Sequence, residues 1–346
     1  MISVIIALYN AENVIGRCLE SVLRSSFKDY EVIVVDDCST DNSYEVAGGF
    51  PCSLFRLPVN SGPAHARNFG VEQSKGDILF FIDSDTELDE KALDLIHETF
   101  KQEDDLAAIV GLPDKRSLGQ GMASAYNALK NHYTLATAGR YCDYFTTQVG
   151  AVRRKTFFEV GGFDKRFRGA DVEDIEFGLR LPKGRTIIHK DVLVGHHFPG
   201  FISIARKYFR RSILLARVIK RKKQMAGAHA SLMRSLLVLT ALVSFVSLSA
   251  ALYYPGLLLI PAGLFVLFLT GNAGLFSFIS RERGVAFMLI SIFYEYVFSM
   301  VIGMGGIAGM VFHKDSVCHP ELVSGSQRMP GQEIPKQVRD DKFRVL

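Results

Sequence analysis

Between Ser235 and Ser280 the chain carries no charged residue, a run of 46 positions in a sequence of 346. A helix that crosses a bilayer needs roughly 20 apolar residues, so the run is about twice one span. Tyr253-Tyr254-Pro255-Gly256, near its middle, reads as the turn of a hairpin, with tyrosines of the kind favoured at a membrane interface. A second apolar stretch, Val285 to Phe312, follows the charged segment Arg281-Glu282-Arg283. The pattern predicts three spans, at about residues 235–254, 256–279 and 285–312. A buried helical core is the alternative, but such cores seldom lack charges over this length. Glu295 is the one charged residue inside the third span and is expected to face the other helices or the domain before them.

Net charge is only +4, yet nine Lys or Arg and no acid lie between Phe201 and Gln224. On a helical wheel Arg206, Arg210, Arg217 and Arg221 form one stripe, with Ile204, Tyr208, Leu215 and Ile219 opposite. That is a basic amphipathic helix over residues 201–224, suited to an anionic cytoplasmic leaflet. No nucleic-acid-binding motif accompanies it, so a nucleic-acid partner is not expected. The cation bias places this helix and the 281–283 loop on the inner side, with the domain before them in the cytoplasm. The first strand pattern starts at Ile2, so no secretory leader is expected. Five cysteines, Cys18, Cys38, Cys52, Cys142 and Cys318, show no metal or redox spacing and fit free thiols in a reducing compartment. The tail, 313–346, is polar, rich in proline and weakly periodic, and resembles a translated intergenic repeat; disorder is expected there.

The first hundred residues alternate strand and helix patterns. ISVIIA, EVIVVDD, SLFRL and DILFFID are apolar runs, separated by helical stretches at Ala11–Arg24 and Pro63–Ser74. Such alternation implies an α/β domain with a parallel sheet and right-handed crossovers. Each run ends in polar residues: Tyr9-Asn10, Asp36-Asp37, Asn60-Ser61-Gly62 and Asp83-Ser84-Asp85. In an open α/β sheet those ends share one edge, where ligands bind. Two carboxylates one residue apart, Asp83 and Asp85, supply hard oxygen donors for a divalent cation. Neither a Gly-x-Gly-x-x-Gly after the first strand nor a Gly-x-x-x-x-Gly-Lys-Ser is present, so an ordinary dinucleotide fold and a phosphate-binding-loop enzyme are not supported.

The series SVIIALYNAENVIGRCLESVL, YEVIVVDDCSTDNS, NSGPAHARNFG and GDILFFIDSD resembles the nucleotide-binding half of family 2 glycosyltransferases of the GT-A type. The likeness continues through VGAVRRKTFFEVGGFDKRF and VEDIEFGLRL to VLVGHH, about residues 1–220 in all. It implies a Rossmann-like domain over 1–200 with a mostly parallel sheet, followed by the transmembrane helices. It implies further that Asp37, beside Asp36, accepts from the nucleobase, that Tyr9 and Glu12 contact the nucleoside, and that Arg67 lies near the diphosphate. Asp85 would hold Mn²⁺ or Mg²⁺, with Asp83 on the ribose or a metal-bound water and His196, rather than His197, as a further ligand. Asp174, beside Glu173 in the first turn of a helix, would be the general base for the acceptor hydroxyl, giving inversion at the anomeric carbon. Gly150 and Gly161-Gly162 would shape the sugar and acceptor pocket.

Two departures stand out. Ala7 replaces a common proline, and the Gln-x-x-Arg-Trp element of processive synthases is missing from a chain that has no tryptophan. The resemblance thus implies transfer of one sugar from a nucleotide-sugar donor to a lipid-linked or glycan acceptor at the cytoplasmic face of a bilayer, in cell-envelope glycan synthesis. A polyprenyl-phosphate sugar synthase is the alternative enzyme, and a catalytically silent membrane scaffold or translocation component is the alternative outside enzymes.

Overall fold

A computed structural model describes residues 1–167, 169, 172–222, 232–251 and 253–311. The expectation for the 313–346 tail lies outside the described residues. The predicted alternation is present as β1 (Ile2–Leu8), α1 (Ile15–Leu23), β2 (Tyr30–Asp36), α2 (Ser43–Gly48), β3 (Ser53–Arg56), α3 (Pro63–Gln73) and β4 (Ile78–Ile82). Then come β5 (Thr86–Leu88), α4 (Ala92–Gln102), β6 (Ala108–Ser117), α5 (Met122–Ala136), β7 (Val149–Arg153), α6 (Arg154–Glu159), α7 (Glu173–Gly178) and β8 (Thr186–His196).

All eight strands form one sheet in the order β3-β2-β1-β4-β7-β6-β8-β5. The strands β1 to β4 are parallel, so their carboxyl ends do share one edge. The sheet turns mixed beyond β4, where β7 runs antiparallel to both β4 and β6. Strands buried on both faces read as continuous apolar runs. Accordingly Ile2, Val4, Ile6 and Leu8 pack on one face with Val34 and Phe80, while Ile5 joins Leu79 and Phe81 on the other. On that second face Phe81, Phe145, Phe157, Phe163 and Phe177 form a ring cluster with centroid separations from 4.7 to 6.2 Å. Each buried ring contributes roughly 1.5–3 kcal/mol. Together they clamp the end of β4 to α7 and to the turn before it.

The remaining helices are α8 (Phe201–Lys222), α9 (Leu232–Ala251), α10 (Leu259–Gly271), α11 (Ala273–Arg283) and α12 (Val285–Val311), with a 3-10 turn at Pro255–Leu257. By length and composition α9 and α12 can cross a membrane. The stretch expected as the second span, 256–279, falls on α10 and α11, which together have the length and apolarity of a span and are bent by 61° at their junction. Asn272 leaves helical geometry (φ −101°, ψ 9°), and both its backbone N–H, at 3.2 Å, and its side-chain amide, at 2.9 Å, donate to the Phe268 carbonyl, capping the end of α10 at the bend. Beyond the bend, Leu275 and Ile279 bury against Tyr126 and Leu129 of α5, and Glu282 pairs with Lys115. Docking onto the α/β domain therefore redirects α11.

Two further joints tie the helices to that domain. Glu295, in mid-α12, is buried against Lys130 Nζ at 2.7 Å and accepts from the Tyr126 hydroxyl, so it faces the α/β domain as anticipated. At Gly305 and Gly309 of α12, an added Cβ would meet the carbonyl oxygens of Phe209 and Ile213 at 2.6 and 2.4 Å. Small residues four apart let α12 lie directly on α8. The basic helix is therefore sandwiched between α12 and the α/β domain rather than resting on a leaflet alone.

Candidate active site

At the shared sheet edge β4 delivers Asp83 and Asp85, and the end of β8 delivers His196. One candidate ligand atom from each lies within 4.8 Å of the others. The pairing of β5 with β8 sets this distance, because Thr86, next to Asp85, is in register with His196. His196 Nε2 is 3.4 Å from Asp85, its ring is buried, and its Nδ1 has no hydrogen-bond partner among the described residues. Burial pulls its pKa down, overcoming the pull of Asp85, which favours the neutral imidazole that a metal requires. Two carboxylates and a neutral imidazole form a donor set suited to Mn²⁺ or Mg²⁺. His197 donates its backbone N–H to the Asp85 carbonyl at 3.0 Å, and its side chain does not join the cluster.

Arg67 joins this cluster to the second half of the site. From α3 it donates to Asp83 Oδ1 at 2.8 Å and to Glu173 Oε1 at 2.8 Å, lying over the Phe163 ring. Arg67 as a residue is 5% exposed, and its guanidinium holds two carboxylates. Burial works against charge on Asp83, but Arg67, His196 and Lys207 outweigh it and hold its carboxyl below the usual range. Asp83 is thus anchored by protein groups, while Asp85 is the more open of the pair, at 39%.

Next to Glu173, Asp174 is buried and accepts from the Ile175 N–H at 2.8 Å. Burial pushes its pKa up to about 6, Glu173 adding to the rise and Arg211 opposing it. A carboxylate tuned close to neutrality suits a general base. The Arg211 guanidinium, from α8, reaches Asp174 Oδ1 at 3.4 Å. Sequence reasoning missed this arginine and Lys207, whose charge acts on Asp83 and His196. Both cations stand one helical turn apart on the flank of the apolar face of α8, a position that could have marked them as facing the domain.

The nucleoside side of the edge is more closely knit than its sequence suggests. Asp37 accepts from the Ser61 and Gly62 N–H groups, both at 2.7 Å, and burial raises its pKa despite them. Asp36 is wholly buried, 3.2 Å from Arg56, and accepts from the Ser39 N–H, so it braces the β2 loop. Glu12 accepts from the Asn42 N–H at 3.0 Å, and Tyr9 is exposed at the end of β1. Gly150, in β7, is a backbone device: an added Cβ would meet the Thr146 oxygen at 2.2 Å and crowd the loop carrying Thr147 toward Asp83.

Comparison with known proteins decides the family of this domain. Residues 3–163 match the model of glycosyl transferase family 2. The chain carries a family 2 glycosyltransferase domain. An uncharacterized glycosyltransferase of Haemophilus influenzae is 41% identical to it over 90 residues, 25% of this chain and 36% of that protein. Glycosyltransferase GlyG of Streptococcus pneumoniae is 32% identical over 116 residues, 32% of this chain and 38% of that protein. The chain thus spans well under half the length of these two curated relatives. The mannosyltransferase PcManGT from Pyrobaculum calidifontis, solved with GDP-Man and Mn²⁺, aligns over 90% of this chain and 87% of its own with a TM-score of 0.53 at 16% identity. At that identity the shared property is the fold, and the likeness extends beyond the glycosyltransferase domain into the apolar helices.

Proposed function

We propose that this protein is an inverting, metal-dependent glycosyltransferase that moves one sugar from a nucleotide-sugar donor to a lipid-linked acceptor at the cytoplasmic membrane face. The observation that carries the reading is the bridge by Arg67, which ties the Asp83-Asp85-His196 cluster to Glu173 and thereby to Asp174. A metal cluster and a tuned base in one cleft are what displacement of a nucleoside diphosphate by a hydroxyl requires.

Asp85 and His196 would hold the cation, with Asp83 oriented by Arg67. When bound, the cation offsets the negative charge that builds on the leaving diphosphate. Tyr9, Glu12 and Asp37 wall the nucleoside, and Asp36 keeps the β2 loop in shape. Asp174 Oδ takes the proton of the acceptor hydroxyl as that oxygen attacks the anomeric carbon. Arg211 keeps enough positive charge beside Asp174 for the carboxylate to be ionised near neutral pH. Attack from the face opposite the leaving group inverts the anomeric centre.

Several features support the membrane side of the reading. Two helices have the length and apolarity of spans, and the Lys115–Glu282 pair supports the 281–283 loop lying on the same side as the glycosyltransferase domain. The basic α8 both walls the cleft and leads to the first apolar helix. That placement favours an acceptor presented from the bilayer. A polyprenyl-phosphate acceptor would need no base, and the tuning of Asp174 argues for a hydroxyl.

The test is transfer in native membranes, screened across UDP-, GDP- and dTDP-sugars with Mn²⁺ or Mg²⁺, followed by NMR of the product anomer. One donor consumed only with metal, and a product of inverted configuration, supports the reading. Metal-independent transfer, or equal use of a water-soluble acceptor, would refute the corresponding part of it.

A further inference from the structure

Length and apolarity allow α12 to cross a membrane, but its packing places it elsewhere. One face of the helix lies on the α/β domain and on α8 over nearly its whole length. Tyr294, Glu295 and Phe298 pack on Tyr126 and Lys130 of α5. Phe298 also meets Phe201 and Tyr208 of α8, and Gly305 and Gly309 rest on the α8 backbone at Phe209 and Ile213. These contacts run α8 beside α12 in the same direction, and α8 is itself tied to the domain by the Tyr208–Asn127 and Arg211–Asp174 pairs. From Phe287 to Gly309 the joined stretch is about 33 Å long, as long as the hydrocarbon core is thick. A crossing α12 would therefore carry its partners into hydrocarbon, and with them Arg206, Lys207, Arg210 and Arg211 of α8. Cations at that depth are strongly disfavoured.

The opposite face of α12 is apolar and open. Leu289, Phe293, Met304, Ile307 and Val311 are 47–65% exposed and fall on one stripe of the helix. On the neighbouring α8, Arg206 is exposed on the face turned away from Ile204 and Tyr208, which pack on the domain. The α9–α10 hairpin leaves from this outer side, since Ala241 and Phe268 pack on Ile292, Tyr296 and Met300, a row bordering the stripe. An apolar stripe with a cation beside it is the surface of a helix lying in the plane of an anionic leaflet. We propose that α12 lies in the interface of the cytoplasmic leaflet, its stripe in the acyl boundary, and that only the α9–α10 hairpin enters the bilayer core. The proposal rests on the membrane reading given above and deepens it. The leaflet then sets the height of the cleft, because α12 holds α8 and α8 holds Arg211 against Asp174.

The chain has no tryptophan, so a single introduced indole reports its own depth. Leu289→Trp, Phe293→Trp, Met304→Trp and Val311→Trp, with Val246→Trp of α9 as the deep reference, are each reconstituted as the full chain in vesicles of phosphatidylglycerol and phosphatidylcholine. The lipids carry bromine either high or low on the acyl chain, and quenching of the indole is measured. All five positions are exposed, so the variants leave the packed faces intact. The four α12 indoles should be quenched alike, within about twofold, and more by high bromine than by low, with Val246→Trp showing the reverse order. Quenching by low bromine that is stronger at Phe293→Trp and Met304→Trp than at Leu289→Trp and Val311→Trp would make α12 a crossing helix and overturn the proposal. So would the absence of quenching on α12 while Val246→Trp is quenched. If Val246→Trp is quenched by neither lipid, the membrane reading itself falls, and the proposal with it.

Discussion

Two cations, the buried Arg67 and the largely covered Lys130, do opposite work. Arg67 sits between Asp83 and Glu173 in the cleft, and the carboxylates it holds remain in touch with groups that still have free valence: Asp85, His196 and Asp174. Lys130 sits between α5 and α12, where Glu295, Tyr126 and, nearby, the Asn127–Tyr208 hydrogen bond close on one another. The first arrangement leaves Asp85 partly open beside a buried His196 and is the candidate site. The second is satisfied internally and is a joint. Burial of a charge pair alone does not distinguish catalysis from assembly; what remains unsatisfied around it does.

The contrast can be broken most severely at the cleft. Asp85→Ala removes the most open carboxylate of the cluster, and transfer should fall about a thousandfold, equivalent to roughly 4 kcal/mol of barrier. Asp174→Asn should cost about 10² to 10⁴ in kcat while donor binding persists. Steady-state kinetics with titrated Mn²⁺ separate the two, and an Asp85→Ala enzyme with parental activity would remove the metal from the mechanism. At the joint, Lys130→Met leaves Glu295 buried without its partner and should destabilise by about 3–5 kcal/mol, whereas the double variant Lys130→Met, Glu295→Leu should recover most of that loss. Thermal unfolding in detergent reads the cycle. If activity per folded molecule falls with the single variant, the joint also serves the cleft.

Smaller effects sharpen the same contrast. Arg211 holds the Asp174 pKa down against burial, so Arg211→Gln should raise it and carry the acid limb of kcat/KM to higher pH. In the parent that limb is expected near pH 6, and activity should fall as the pH drops through it and Asp174 takes up a proton. A limb that stays in place would separate Arg211 from the base. The least effect is expected at Lys115 and Glu282, both substantially exposed: Glu282→Gln should cost under about 1 kcal/mol, because apolar contacts of Leu275 and Ile279 hold α11.

Much of the cleft was legible because polar strand ends follow apolar runs. Asp37, Asp83 and Asp85 each follow such a run, and parallel pairing leaves them no edge but the shared one. His196 was legible only through the family resemblance, since its approach to Asp85 depends on the pairing of β5 with β8, over a hundred residues apart. The ties from Arg67 to Glu173 and from Arg211 to Asp174 had no local signal, because the partners are separated by 106 and 37 residues. Asp36 and Asp37 look equivalent in sequence, yet alternation along β2 turns one toward Arg56 and the other toward the Gly62 loop.

The sequence by itself determined the alternating α/β pattern, the polar strand ends and the uncharged run, since each depends on the period and hydrophobicity of consecutive residues. Only the tertiary structure decided which carboxylates stay open, where Asn272 bends the second apolar segment, and that α8 supplies Arg211 to the base. Those outcomes follow from contacts between distant segments competing for the same buried surface. A local pattern states which face of an element is apolar, and the packed partner alone determines which of its charges are answered.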